Sequence, residues 1–259
     1  MKEPKVLIYD IETAPILAHV WGLWDNNVSL NMIESDWHVL SWSAKWLGEK
    51  KIMYADQRKE KDISNDSRIL KKIWKLLDKA DIVITQNGVK FDNKKLNARF
   101  IKHGFKPPSS YKNIDLLKIA RKHFGFTSNK LEYMTGLLCK KKKSEHKKFP
   151  GFDLWKKCLA GNQTAWKEME KYNKRDVTST EELYHKLIPW DQSINFNLYR
   201  DTEETICTCG CRKFSRNGFA YTSTGKYQRF ECKRCGAEVR GRKDKFSKAK
   251  KDSLKVKVS

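Results

Sequence analysis

The sequence predicts an α/β chain, one mixed sheet flanked by helices, followed by a small separate unit built around cysteines. Three observations carry that expectation. Short apolar runs of strand length alternate with segments of helical spacing from Lys5 to about Trp190, the pattern of a sheet layered with helices. Of seven cysteines, five (Cys207, Cys209, Cys211, Cys232 and Cys235) crowd into one C-terminal segment, apart from Cys139 and Cys158. The 259 residues carry 54 Lys and Arg against 31 Asp and Glu, a net charge of +23 with pI near 9.7. An excess of that size points to a polyanionic partner, most often nucleic acid.

The elements follow in order. Lys5 to Asp10 reads as a buried strand through Val6-Leu7-Ile8-Tyr9. Trp37 to Trp46 alternates in period two and Lys51 to Ala55 follows it; both read as strands. Ile69, Ile73, Leu76 and Leu77 give Ser67 to Lys79 a helical apolar face, and Asp81 to Thr85 is a short buried strand. Asn93 to His103 reads as a helix stopped by Gly104. Further helices are expected over Asp115–His123, Leu131–Cys139, Phe152–Leu159 and Thr164–Leu187. The run Lys140 to Lys143 and the SEHKK after it are too charged to pack, so an exposed loop is expected.

These elements define residues 1–190 as one domain and 191–206 as a linker. Residues 207–242 form the cysteine unit, and 243–259 a basic tail too poor in apolar residues to fold. The charged start, MKEPKVLIYD, holds an apolar run too short for a leader or a membrane span. No apolar stretch elsewhere exceeds strand length, so a membrane partner is not expected and a cytoplasmic location is. In that compartment clustered cysteines favour zinc over disulfides.

The stretch KVLIYDIETAP poses the functional question. Its buried strand ends in two acids, Asp10 and Glu12, and residues i and i+2 of a strand share a face. Asp92 stands just past the strand DIVIT, at the head of the next helix, where capping that helix is the plainer role. Tyr172 and Asp176 lie four apart on the long last helix and share its face. Four acids gathered at one sheet edge repel one another. Divalent cations would neutralise them, and all-carboxylate donors suit Mg²⁺ or Mn²⁺. Two such ions can activate a water and stabilise the leaving oxygen in phosphodiester hydrolysis.

The three motifs Asp10-Ile-Glu12-Thr, Asn87-Gly-Val-Lys-Phe91-Asp92 and Tyr172-Asn-Lys-Arg-Asp176 occur in the order and at the separations of the DEDD exonucleases. The chain resembles that family, the DnaQ-like 3′–5′ exonucleases of the ribonuclease-H-like fold, and is similar to its small phage and bacterial members. The resemblance covers most of residues 5–188. It implies the tyrosine branch, because Tyr172 stands four before the last Asp while Lys171 fills the position that is His in the other branch. It implies Asp10, Glu12, Asp92 and Asp176 as ligands of two Mg²⁺ or Mn²⁺ ions, with Glu12 and Tyr172 placing the attacking water. A phenol, with its pKa of about 10, is a poor base at neutral pH, so Tyr172 is expected to orient rather than deprotonate. Gln86 departs from the His that many members carry before the Asn of the second motif. Asn87 and Phe91 are expected to shape the pocket of the terminal nucleotide, against the plainer roles of turn residue and core residue.

Cys232-x-x-Cys235-Gly has the form of a zinc knuckle; Cys207, Cys209 and Cys211, each two apart, do not repeat it. A Cys₄ zinc ribbon is expected from Cys209, Cys232, Cys235 and either Cys207 or Cys211, with Cys207 preferred. The segment between the knuckles alternates aromatic and basic residues around a turn at Ser223–Gly225. Arg216, Tyr221, Lys226, Tyr227 and Arg229 are its expected nucleic-acid contacts. Residues 201–259 hold 16 basic and 7 acidic side chains, a net +9. The ribbon resembles those of transposases and transcription proteins; a purely structural staple is the other reading.

The expected activity is thus a metal-dependent 3′–5′ exonuclease. DNA, as single strands or 3′ ends, is the expected substrate ahead of RNA. A polymerase or replication or recombination machinery would act with it in trans, in the host cytoplasm for a phage-encoded chain. A structure-specific endonuclease on the same fold and a non-catalytic nucleic-acid-binding protein are the rivals. Trp21, Trp24 and Trp155 are open between packing and base stacking, and the six histidines sit in no ligand spacing.

Overall fold

A computed structural model describes residues 3–141, 146 and 148–256. It divides into two compact units, Pro4 to Tyr184 and a second from His185 onward that also takes in Glu3.

In the first unit the leading strand, β1 (Val6–Thr13), is its centre because Val6 to Tyr9 are apolar on both faces. A minor hairpin, β2 (Leu17–Ala18) with β3 (Ile33–Ser35), follows. Next come β4 (Val39–Trp46) and β5 (Met53–Asp56), then helix α1 (Ser67–Leu77), which buries Ile69, Leu70, Ile73 and Leu77. Strand β6 (Ile82–Thr85), helix α2 (Asp92–Lys102) and strand β7 (Lys112–Asp115) continue the chain. Helices α3 (Leu116–His123), α4 (Leu131–Leu138), α5 (Asp153–Leu159) and the long α6 (Gln163–Leu187) complete it.

The five-stranded sheet has the order β5-β4-β1-β6-β7. β4 runs antiparallel to both β1 and β5, while β1, β6 and β7 are mutually parallel. Helices cover both faces. Leu7, Tyr9 and Ile11 of β1 pack in a core with Trp42, α1 and α2. On the other side Leu40 packs with Leu154, Trp166 and Met169 of α5 and α6. Because β1 alternates, Asp10 and Glu12 point away from the face of Tyr9 and Ile11, toward α6.

Two buried ion pairs fasten this unit. Asp66, fully buried, accepts from the Val39 N–H at 2.8 Å and from Arg99 Nε and Nη2 at 2.8 and 2.7 Å, and it pairs with His103. Lys45 on β4 is paired to Glu181 on α6, which also accepts from the Gly48 N–H at 3.0 Å.

The second unit contains a three-stranded antiparallel sheet in the order β10-β9-β8: β8 (Phe214–Tyr221), β9 (Lys226–Cys232) and β10 (Glu238–Asp244). Helix α7 (Lys248–Ser253) follows, its first turn capped by the Ser247 hydroxyl. Two expectations are corrected here. Residues 191–206 are not a bare linker, since Phe196, Arg200 and Ile206 are buried. Arg200 pairs with Glu3 at 2.8 Å, and Asn197 donates to the Ile206 carbonyl at 2.9 Å. The tail is not wholly unfolded either. β10 runs past residue 242, and Asp244 accepts from the Lys226 and Phe246 N–H groups and pairs with Lys251 at 3.1 Å. One acid with three partners supplies the order that composition could not show. The basic loop after Lys140 falls mostly outside the described residues; Lys140 and Lys141 donate their backbone N–H groups to Glu182.

Candidate active site

The fold brings three of the four predicted acids together. Asp10 and Glu12 leave β1 on the α6 face, and Asp176 comes to meet them from the helix. One carboxylate oxygen from each lies within 4.8 Å of the others. At that separation each ionised pair repels by roughly 3 kcal/mol at an effective dielectric near 20. Asp176 is buried and the other two are half-buried, so water screens the charge only in part. An all-oxygen donor set of this kind fits a hard divalent cation such as Mg²⁺ or Mn²⁺.

The register of β1 contributes to the aim of these acids. Asp10 stands opposite Ser43 and Glu12 opposite Ser41 on β4, and the pairing slips between Glu12 and Thr13. The bulge ends the regular ladder at the point where the carboxylates emerge. Asn173, one residue after Tyr172 and fully buried, reaches across from α6. Its Nδ2 donates to Asp10 Oδ2 at 2.6 Å and lies 3.4 Å from the Asp10 carbonyl, while Ser41 Oγ donates to its Oδ1 at 3.4 Å. The Ser41 contact turns the amide so that its N–H₂ faces Asp10. Sequence reasoning missed both residues.

Asp92 does not join the three-oxygen group. It is buried at the start of α2 and accepts from the Ile11 N–H at 3.2 Å, which holds it against β1 between Asp10 and Glu12 in sequence. It does not cap its own helix. Burial raises its pKa to about 7, the backbone N–H groups act against that rise, and Asp115 adds to it.

The turn leading to Asp92 is specified locally. Asn87 has φ 65° and Gly88 leaves no room for a side chain, as a Cβ there would lie 2.2 Å from Thr85 Oγ1. Asp115, at the end of β7, accepts from the Asn87 and Val89 N–H groups at 2.8 and 3.3 Å and caps α3 through Leu117. Asn87 therefore fills the turn role. Phe91 is exposed rather than packed in the core, with Lys95 Nζ 5.6 Å from its ring centre. Gln86 is tied to the Asn129 carbonyl at 3.0 Å.

Tyr172 is buried, its ring edge-on to His146 at 5.1 Å and to Trp155 at 6.0 Å. His146 Nδ1 is 2.6 Å from the Phe149 carbonyl. A histidine with no ligand spacing thus helps fix the tyrosine's orientation, and Trp155 packs against it. Trp21 and Trp24, by contrast, are exposed on the segment between β2 and β3.

Within the second unit, Cys207, Cys209, Cys232 and Cys235 come within 4.8 Å of one another. The Cys207–Cys235 and Cys209–Cys232 sulfur distances are 3.6 and 3.7 Å. These are far too long for disulfides and close to the edge of about 3.8 Å of a tetrahedron with zinc–sulfur bonds of about 2.3 Å. Cys209-Gly210 and Cys235-Gly236 end the two knuckles alike, each glycine at positive φ (82° and 74°). Cys211 stays outside the group, with its sulfur 3.6 Å from the Lys213 carbonyl. Burial lifts the Cys235 thiol to about 11 and raises Cys207 as well; at Cys209 burial is outweighed by donation from the Cys211 N–H and neighbouring thiols. Four sulfurs held at these distances are compatible with a structural zinc site.

Residues 36–188 match the model of the RNase_H superfamily, and the chain belongs to that superfamily. The match includes Asp92, Tyr172 and Asp176 and begins after the Asp10–Glu12 strand. None of the curated proteins matches the chain. Among solved structures the chain is similar to the family B DNA polymerase from the hyperthermophilic archaeon Pyrobaculum calidifontis, with a TM-score of 0.53 and 16% identity. The likeness covers 73% of this chain but only 25% of the polymerase, so it is one of fold.

Proposed function

We propose that the chain is a metal-dependent 3′–5′ exonuclease that hydrolyses terminal phosphodiesters of nucleic acid, DNA ahead of RNA. The observation that carries the reading is the meeting of Asp10, Glu12 and Asp176 at one edge of a ribonuclease-H-type sheet, with Tyr172 one helical turn before Asp176. Asp10, Glu12 and Asp176, with Asp92 alongside, would hold two Mg²⁺ or Mn²⁺ ions, which supply charge neutralisation and acidify water. Asn173 fixes the Asp10 carboxylate, and the Tyr172 hydroxyl orients the water and the scissile phosphate from a ring clamped by His146 and Trp155. The Cys207, Cys209, Cys232 and Cys235 group would hold one structural zinc, and its ribbon would help bind the strand.

The test is a 5′-labelled linear strand beside a covalently closed circle of the same composition, with Mg²⁺ or Mn²⁺. The account expects a ladder shortening from the 3′ end and an intact circle. A cut circle would replace the exonuclease by an endonuclease on the same fold.

A further inference from the structure

The sequence places the ribbon's phosphate contacts on the hairpin of β8 and β9. The structure shows most of those cations already engaged. Arg229 donates to the Asn217 carbonyl at 2.7 Å and pairs with Glu238 at 3.5 Å, and Lys226 lies 4.0 Å above the Phe219 ring. Arg240, on the neighbouring strand, lies 4.2 Å above the Tyr227 ring. Such groups would have to leave a partner before meeting a phosphate.

The opposite end of the ribbon differs. An open cavity of about 530 Å³ lies between the two cysteine knuckles, lined by Gly210, Cys211, Arg212, Lys213, Lys233 and Arg234. Four of its six lining residues are cations and none is an acid. All four are exposed. The knuckles are joined at the cavity by the Lys233 N–H, which donates to the Lys213 carbonyl at 3.0 Å, so the two lysines spring from adjacent backbone. Arg234 Nη1 donates to the Cys209 carbonyl at 3.1 Å, which keeps its guanidinium over the first knuckle. Arg212 pairs with Glu204 at 3.4 Å, but both side chains are more exposed than those of the Arg229–Glu238 pair, so solvent screens the contact more. A zinc ion with four thiolates carries a net charge of −2, so four cations exceed what the site itself needs.

We propose that this inter-knuckle cleft is where the ribbon grips the phosphodiester backbone of its nucleic acid, with Arg212, Lys213, Lys233 and Arg234 as the contacts. The inference rests on the nucleic-acid reading above and moves the binding face from the hairpin to the knuckles. It predicts binding that is indifferent to base sequence and steeply dependent on salt.

The experiment measures anisotropy of a fluorescent single strand with the full-length, zinc-loaded chain across a KCl series. Asp10→Ala is present throughout so that nothing is cut. Each phosphate contact on a single strand contributes about 0.7 to the slope of log K against log salt. Replacing Arg212, Lys213, Lys233 and Arg234 by Gln should therefore flatten the slope by about 2 to 3, with zinc content unchanged. Arg216→Gln/Lys226→Gln/Arg229→Gln should flatten it by less than one. If the fourfold variant loses zinc, the pairs Arg212→Gln/Lys213→Gln and Lys233→Gln/Arg234→Gln carry the test, each with about half the change. An unchanged slope in the knuckle variants, or a fall confined to the hairpin variant, overturns the proposal and leaves the cations as balance for the thiolates. Absence of binding by the Asp10→Ala chain also overturns it. The nuclease reading fails separately, if the unmutated chain binds the strand but does not shorten it with Mg²⁺ or Mn²⁺.

Discussion

Replacing Asn173 by Ala should weaken metal binding while leaving the fold in place. The side chain is fully buried and its Nδ2 is 2.6 Å from Asp10 Oδ2. A hydrogen bond to a charged group contributes about 1.5–3 kcal/mol, which corresponds to roughly 10- to 150-fold in an equilibrium constant. Outer partners of metal ligands typically account for 10- to 100-fold in affinity or activity, so the two scales agree. The assay is a calorimetric titration of Mn²⁺ into the substrate-free chain, paired with a thermal melt. Asn173→Leu separates the donor from mere space filling. It keeps much of the volume but has no N–H₂ to offer Asp10, so it should lose about as much affinity as Asn173→Ala. An Mn²⁺ affinity within twofold of the unmutated chain, in a variant that still melts cooperatively, would refute the assignment of Asn173 as the group that aims Asp10.

Three further outcomes are expected. Asp66→Ala leaves the buried Arg99 guanidinium without its carboxylate and the Val39 N–H without its acceptor; breaking a buried pair costs about 3–5 kcal/mol, to be read from urea unfolding. Asp92 has a folded pKa raised to about 7 from the ordinary aspartate value of 3.8, so the native state binds the proton more tightly than the unfolded chain. Its contribution to stability is full below about pH 4 and is lost as pH rises through about 7. The metal-free chain should lose melting temperature across that window, and Asp92→Asn should remove much of the slope. Stripping zinc with a chelator should expose the segment 207–237 to proteolysis, because the binding energy of a Cys₄ site is folding energy for a unit this small; protection equal to that of the zinc-loaded chain would contradict it.

The strands and helices that build the sheet are legible because their apolar periodicity is long or undiluted. β1 has four consecutive buried residues and α1 an unbroken apolar stripe. β7 was invisible because Lys112-Asn113-Ile114-Asp115 is short and half exposed; it exists through its pairing with β6. β10 straddles the end of the expected cysteine unit at 242 and the start of the charged tail, and no strand is legible there, yet Val239 sits opposite Phe230. Periodicity of two is hard to see when the inward positions are Val and Gly.

At the site the acids were legible as motifs, because strand and helix spacing put Asp10 with Glu12 and Tyr172 with Asp176. Ser41, Asn173, Asp115 and His146 were not. Their parts depend on β1–β4 register, on how α6 approaches the sheet, and on the packing of the His146 ring against Tyr172. Asp92 was legible as an acid but not as one held by the Ile11 N–H, apart from the other three. The exposure of Trp21 and Trp24, and the packing of Trp155, likewise depend on tertiary structure.

The most direct measurement compares the unmutated chain with Asp10→Ala/Glu12→Ala on a 5′-labelled single strand, with Mg²⁺ or Mn²⁺ and with EDTA. The account predicts a 3′-shortened ladder and nucleoside 5′-monophosphates from the unmutated chain with metal, and neither product from the variant or with EDTA. Degradation that persists in the variant, or no degradation by a folded, metal-bound unmutated chain, would contradict the claim that this cluster of acids is a nuclease site.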